Sequence, residues 1–216
     1  MPQIFHKSAN SISKAVIVGL VAFAAAATGI YELLDRSPYV DEKRVVREQP
    51  VPFSHKHHVG ELGLDCRFCH ASVENSSFAG LPPVSTCMTC HSQIWTGSPM
   101  LEPVREAART GRPLTWNRVN DLPQFVYFDH GIHVHKGVGC VTCHGPVNEM
   151  PLTWRQNSLE MRWCLTCHRD PEKFVRPRED VFLTDYRAPA GQEALGRLLV
   201  RENHIQKLTD CATCHR

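Results

Sequence analysis

No cysteine in this 216-residue chain stands outside one repeated pattern, no stripe of arginine and lysine runs along it, and no alternation of strand-like and helix-like segments surrounds any of its cysteines. The last absence excludes a redox Cys-x-x-Cys of the thioredoxin type. The missing basic stripe removes nucleic acid from the partners to consider. Charge of one sign is lacking too, since 24 Lys and Arg offset 22 Asp and Glu to leave +2. Regular secondary structure has little room, because 15 prolines and 13 glycines interrupt most candidate elements.

What is present is a fivefold motif. All ten cysteines fall into Cys-x-x-Cys-His: Cys66/Cys69/His70, Cys87/Cys90/His91, Cys140/Cys143/His144, Cys164/Cys167/His168 and Cys211/Cys214/His215. Two thiols one helical turn apart form thioethers to a haem edge, and the adjacent imidazole is placed to ligate the iron as its proximal ligand. Zinc would need a regular fourth ligand for a tetrahedral site, and none is visible. A disulfide framework gives no reason for histidine to follow the second cysteine every time. The motifs therefore predict five covalently bound haems c.

The first 34 residues read as an anchor, which leaves roughly 36 residues for each haem and scarcely any separate aliphatic core. Porphyrin faces must then supply much of the buried apolar surface. The expected fold is a multihaem cytochrome c, with mainly short helices and irregular loops packed around five haems and one N-terminal transmembrane helix. Ten propionates would bring the reduced holoprotein to roughly −8, and arginines with their planar forks are suited to pairing with them.

The mainly apolar run 15–34 spans about 30 Å as a helix, enough for one membrane crossing. Lys7 and Lys14 precede it without an acidic residue, whereas mixed charges follow, which predicts residues 1–14 in the cytoplasm, 15–34 across a bacterial inner membrane and the haem domain on its periplasmic side. Covalent haem attachment outside the cytoplasmic membrane requires the same orientation. The small residues Ala22 to Ala27 also fit a cleavable signal peptide, but with the chain starting at Met1 a signal anchor is preferred. Glu32, one turn from the outer end of the run, can reach water, and a proton-linked role there is an open alternative. Residues 35–52, with Pro38, Pro50 and Pro52, read as an extended linker to a haem domain over 53–216.

That domain contains an internal repeat. Phe53-Ser-His55-Lys-His57-His58 precedes Cys66 as Phe128-Asp-His130-Gly-Ile-His133 precedes Cys140, and each first haem motif is followed by a second. The domain divides into dihaem units 53–91 and 128–168 and a fifth haem site over 204–215. Superposing the units aligns His55 with His130 and His58 with His133, and these four are the expected distal iron ligands. His57 faces Ile132 and has no counterpart; it and His135 remain alternatives. For the fifth iron, Met161 lies close to Cys164, and His204 stands seven residues before Cys211 as His133 does before Cys140. Met161 is preferred over His204, with Met100 and Met150 weaker candidates.

The run Val51 to Cys66, the segments Phe125 to His130 and Gly139-Cys140, and Met161-Arg-Trp-Cys164 together resemble the pentahaem cytochrome c subunit of alternative complex III, across essentially the whole chain. The resemblance implies a membrane-bound menaquinol oxidoreductase. Its partners would be an iron–sulfur subunit, integral membrane quinol-site subunits, and a monohaem cytochrome c or terminal oxidase as acceptor. Without the resemblance, five haems in so small a domain still read as an electron wire rather than a catalyst. Two rivals are a stand-alone membrane-anchored quinol dehydrogenase and a multihaem reductase with an open iron. Against the latter, no Cys-x-x-Cys-Lys occurs, and distal candidates outnumber haems.

Overall fold

The computed structural model describes residues 4–215 and divides the chain into two compact units, one ending at Glu42 and one beginning at Lys43. The first consists of helix α1 (Ala9–Asp35) and the single turn α2 (Pro38–Asp41). None of the α1 side chains is buried, and its mean hydropathy and 27-residue length suit a membrane crossing. The helix begins six residues before the predicted run, with Ser13 returning its hydroxyl to the Ala9 carbonyl at 2.8 Å. Glu32 forms an ion pair with Arg36, one turn further on, at 2.6 Å.

The second unit is made of short helices, single helical turns and loops, and among the described residues β-pairing is confined to isolated bridges. Each haem motif lies on a helix: α3 (Cys66–Cys69), the end of α4 (Val84–His91), α7 (Cys140–His144), the second half of α8 (Met161–Arg169) and α10 (Cys211–Cys214). Helices α5 (Glu102–Thr110) and α9 (Gln192–Glu202) carry no motif. His130 and His133 stand on α6 (His130–His135), which Asp129 caps by accepting the Ile132 amide at 3.0 Å. Their counterparts His55 and His58 occupy a π-helical turn over Lys56–Glu61 and the residue before it. Ser54 takes the capping role there, accepting the His57 amide at 3.1 Å.

From Lys43 onward the segment expected to be linker is stitched to the haem domain. Lys43 and Val46 bridge to Arg155 and Trp154, and the Gln49 side-chain amide donates to the Asn117 carbonyl at 2.8 Å. Val51 is buried with Leu101 and Val104, against Val84, Cys87, Met88, Leu114 and Trp116. This cluster is small for a domain of such length. By contrast, Phe68, Ile94, Trp95, Phe125 and Ile132 are each half exposed or more, and each stands within or beside a histidine or cysteine of the motifs and repeats.

The two repeat units interlock reciprocally. The start of α6 docks on the loop between the first two motifs, where the His130 and Gly131 amides donate to the Ser77 and Ser76 carbonyls at 3.2 and 3.1 Å. The equivalent turn of the first unit docks on the loop between the third and fourth motifs, with the Lys56 amide donating to the Met150 carbonyl at 2.9 Å. Both contacts depend on glycine for close approach: a Cβ on Gly131 would lie 2.9 Å from the Glu74 carbonyl oxygen, and one on Gly60 would lie 2.3 Å from that of Asn148.

A third close approach yields a stability prediction. Helix α9 packs on the turn Pro171–Lys173, and a Cβ on Gly196 would sit 1.8 Å from the Glu172 carbonyl oxygen. Alanine is better than glycine in a helix interior by about 1 kcal/mol, but here backbone meets backbone and neither can swing aside. Gly196→Ala should therefore lower stability by about 1–3 kcal/mol, seen as a reduced midpoint in thermal unfolding.

Candidate functional site

The histidines form opposed pairs. His58 faces His91 with ring centres 6.2 Å apart, His130 faces His144 at 6.3 Å, and His133 faces His168 at 6.1 Å. Two imidazoles bound to opposite faces of one first-row metal ion, each through a nitrogen about 2 Å away, have ring centres about 6 Å apart. The spacing therefore fits an iron between each pair. It also separates the histidines within a repeat unit: His130 and His133, three residues apart on one helical turn, face the proximal histidines of different motifs. For the remaining pair, His70 is the charged group that most perturbs His55, which places His55 beside the first motif.

Hydrogen bonding orients most of these rings as metal ligation requires, whereas His91 Nδ1 is buried without a partner. A ligating histidine donates from its other ring nitrogen, which fixes the tautomer and leaves the first free. The Nδ1 of His58 donates to the Ser54 carbonyl at 2.8 Å and that of His133 to the Asp129 carbonyl at 2.6 Å. His130 donates to the Ser77 carbonyl at 2.8 Å, and His55 Nδ1 shares a hydrogen bond with the Thr153 hydroxyl at 2.9 Å. On the proximal side, His70 donates to the Gly80 carbonyl at 2.7 Å and His215 to that of Phe125 at 3.2 Å. His144 Nδ1 lies 3.1 Å from the Asn120 side-chain nitrogen. Turning that amide over lets Asn120 Oδ1, otherwise buried without a partner, accept the His144 proton. Desolvation, reinforced by neighbouring histidines, pushes both His55 and His144 down to about 4, so they are neutral near pH 7 with a lone pair available to a metal.

The cysteines trace a path between the sites, numbered 1 to 5 in chain order. The Cys66 thiol of site 1 lies beside the Cys140 thiol of site 3, and the two perturb each other's titration in opposite directions. These are equivalent residues of the two repeat units, and such a self-equivalent contact is what a two-fold relation between the units requires. Burial and the proximity of Cys87 raise Cys69, linking sites 1 and 2. Burial, then Cys167 and Cys164, pushes Cys143 up to about 12, linking sites 3 and 4. Burial and then Cys214 raise Cys164, linking sites 4 and 5. The attachment sites are thus neighbours in the order 2, 1, 3, 4, 5.

Not every predicted attachment cysteine is enclosed. Cys90 of site 2 and Cys211 of site 5 are exposed, whereas the other eight are partly buried. Five identical motifs thus differ in how far their thiols are covered. Their position on the path gives the reason, since sites 2 and 5 are its two ends and each has a neighbouring site on one side only. Within site 2 it is Cys87 that faces inward, packed against Val51, Leu101 and Val104, while Cys90 meets the Thr89 hydroxyl at 3.9 Å.

Site 5 is fastened to the second unit. Val126 bridges to His215, the Tyr127 amide donates to the Cys214 carbonyl at 2.9 Å, and the Phe125 ring packs on His215 at 5.8 Å. Met161 opens α8 one turn before Cys164 and is 63% exposed. His204 and His135 are exposed, and His204 has φ of 50°. His57 pairs with Glu61 at 2.9 Å and lies against Trp95. Met150 is fully buried as a packing residue, and Met100 is half exposed. Sequence reasoning did not single out Arg176. It is 5% exposed, stacks on Tyr186 at 4.1 Å, and reaches the site 3 helix through Thr142. A Cβ on Gly139 would collide with its guanidinium, and the glycine before Cys140 was the available signal.

Comparisons with known proteins agree with this chemistry. Residues 126–216 match the family model described as cytochrome c7 and related cytochrome c, and residues 33–102 match the class III cytochrome c family. The chain is 31% identical over 170 residues to the multihaem cytochrome c subunit of menaquinone reductase from Nitratidesulfovibrio vulgaris, covering 78% of this chain and 68% of that protein. It is also 35% identical over 63 residues to a cytochrome c-552 from Desulfotalea psychrophila, covering 26% of this chain and 12% of that protein. The chain belongs to the multihaem cytochromes c, electron-transfer proteins binding c-type haem, as a relative of the menaquinone reductase multihaem subunit.

Proposed function

We propose that this chain is the pentahaem electron-relay subunit of a membrane-bound quinol oxidoreductase of the alternative complex III kind. The observation that supports it most directly is the continuous succession of five attachment sites, four with a histidine placed opposite or beside the proximal one. In this reading His55, His58, His130 and His133 are the distal ligands of sites 1 to 4, and Met161 is that of site 5. Helix α1 anchors the chain with its N-terminus inside and the haem domain in the periplasm. Electrons enter from a neighbouring iron–sulfur or quinol-oxidising subunit and leave toward a monohaem cytochrome c or a terminal oxidase.

Bound haem supplies reversible one-electron exchange at iron. The chain's own residues do the rest. The distal side chains would occupy the iron's remaining ligand position and exclude small molecules, and hydrogen bonds on Nδ1 hold most of the rings in place. A thioether at site 5 would set that end at a higher potential than the bis-histidine sites, which favours electron flow toward it. The relative's name as a menaquinone reductase subunit supports a quinone-linked complex and bears equally on the reverse direction.

Reconstitution in liposomes with a menaquinol analogue tests the reading. The isolated subunit should be reduced slowly and without saturation, and rapidly once its membrane partners are restored. Fast, saturable reduction by the subunit alone would instead identify a stand-alone quinol dehydrogenase.

A further inference from the structure

Within each repeat unit one phenylalanine touches both distal histidines. Phe53 stands edge-on to His55, with ring centres 4.9 Å apart and planes at 87°, and lies face-on to His58 at 4.4 Å and 23°. Phe128 does the same in the second unit, edge-on to His130 at 4.8 Å and 90° and face-on to His133 at 4.4 Å and 27°. The surroundings differ, with a π-helical turn capped by serine in one unit and an α-helix capped by aspartate in the other. The aromatic geometry is nevertheless reproduced.

An imidazole bound through one nitrogen can still rotate about its bond to the metal. His58 and His133 are held against that rotation twice, by a phenyl face and by an Nδ1 bond to the carbonyl one turn back. The consequence is visible in the opposed pairs. The ring planes cross at 66° for His58 and His91 and at 68° for His133 and His168, whereas His130 and His144 are parallel to within 4°.

We propose that Phe53 and Phe128 are positioning residues that set the planes of the distal imidazoles, so that sites 2 and 4 carry crossed axial rings and site 3 carries parallel ones. The proposal rests on the distal-ligand reading above and goes beyond it. Axial imidazoles donate through π orbitals perpendicular to their planes. Parallel rings raise one iron d orbital above its neighbour, while crossed rings leave the two nearly degenerate. Ring orientation thus joins ligand identity and burial among the means by which the protein sets each iron's electronic state.

Electron paramagnetic resonance of the oxidised, full-length, haem-loaded chain tests this. Crossed sites give a strongly anisotropic low-spin signal with one large g value, and parallel sites give a rhombic one. Both kinds are expected in the native protein, with His133→Ala removing one large-g component and His130→Ala the rhombic component of site 3. Phe128→Leu keeps apolar bulk but removes the flat face, and it should shift the large-g component of site 4 while haem content and low-spin state persist. Phe128→Tyr should restore the native spectrum. A Phe128→Leu spectrum superimposable on the native one, or a native low-spin spectrum without large-g components, overturns the positioning role. Failure of the ligand reading would look different: His133→Ala would leave every iron low-spin.

Discussion

In the His133→Ala chain, the haem attached at Cys164 and Cys167 should become high-spin and bind carbon monoxide, while the other haems keep their native absorption. The expectation follows from the 6.1 Å separation of His133 and His168, which leaves space for an iron between them. His130→Ala should open a different iron, at Cys140 and Cys143, although the two histidines are three residues apart on one helix. Each change should convert one site in five, measured by the high-spin resonance and by the carbon monoxide difference spectrum. Controls are provided by His57, held by Glu61, and by the exposed His135, whose replacement by alanine should leave the iron low-spin throughout. Carbon monoxide binding after His57→Ala would show that the alignment of the repeats had been read in the wrong register.

The second large effect concerns site 5. Replacing Cys211 and Cys214 together by alanine should reduce the haem load from five to four, measured as haem per chain after denaturation. The four remaining sites form an unbroken series, since site 5 lies at the end of the path, next to Cys164 of site 4. Flash reduction of this variant should therefore still spread electrons over all four haems, with delivery to an external acceptor lost. A change at site 3 acts differently, because Cys140 and Cys143 are the connections to sites 1 and 4. His130→Met would place a thioether at mid-path, and the higher potential expected there should hold electrons and slow their passage in both directions.

Much of this was legible in the sequence because the chemistry is written locally. Cys-x-x-Cys-His needs only one helical turn, and each copy lies on one. The repeat, with its histidines and phenylalanines in register, reappears in space as two interlocked units. The order of the sites was not legible, because it depends on contacts such as Cys66 with Cys140, between residues far apart in the chain. For the same reason identical motifs could not show that Cys90 and Cys211 lie exposed while their counterparts are partly covered. Nor could spacing show that His130 and His133 face different motif histidines, since residues three apart lie on roughly the same face of a helix. Residues 43–52 had the prolines and charges of a linker, yet their backbone pairs with Trp154 and Arg155 and Val51 enters the core; such pairing leaves no periodic trace. Met161 lies on α8 one turn before Cys164, as its sequence position required, and which way its exposed side chain turns is not written in that position.

The reciprocal docking of the repeats has a consequence for maturation. His55 takes its Nδ1 partner, Thr153, from the second unit, and His130 takes its partner, Ser77, from the first. A chain threaded through a membrane from its N-terminus can acquire thioether bonds at its first two motifs while the later ones are still inside. Thr153 arrives only with the second half, so the orientation of His55 waits for it. Thioether attachment needs only the local motif, whereas orienting His55 and His130 needs both repeat units together.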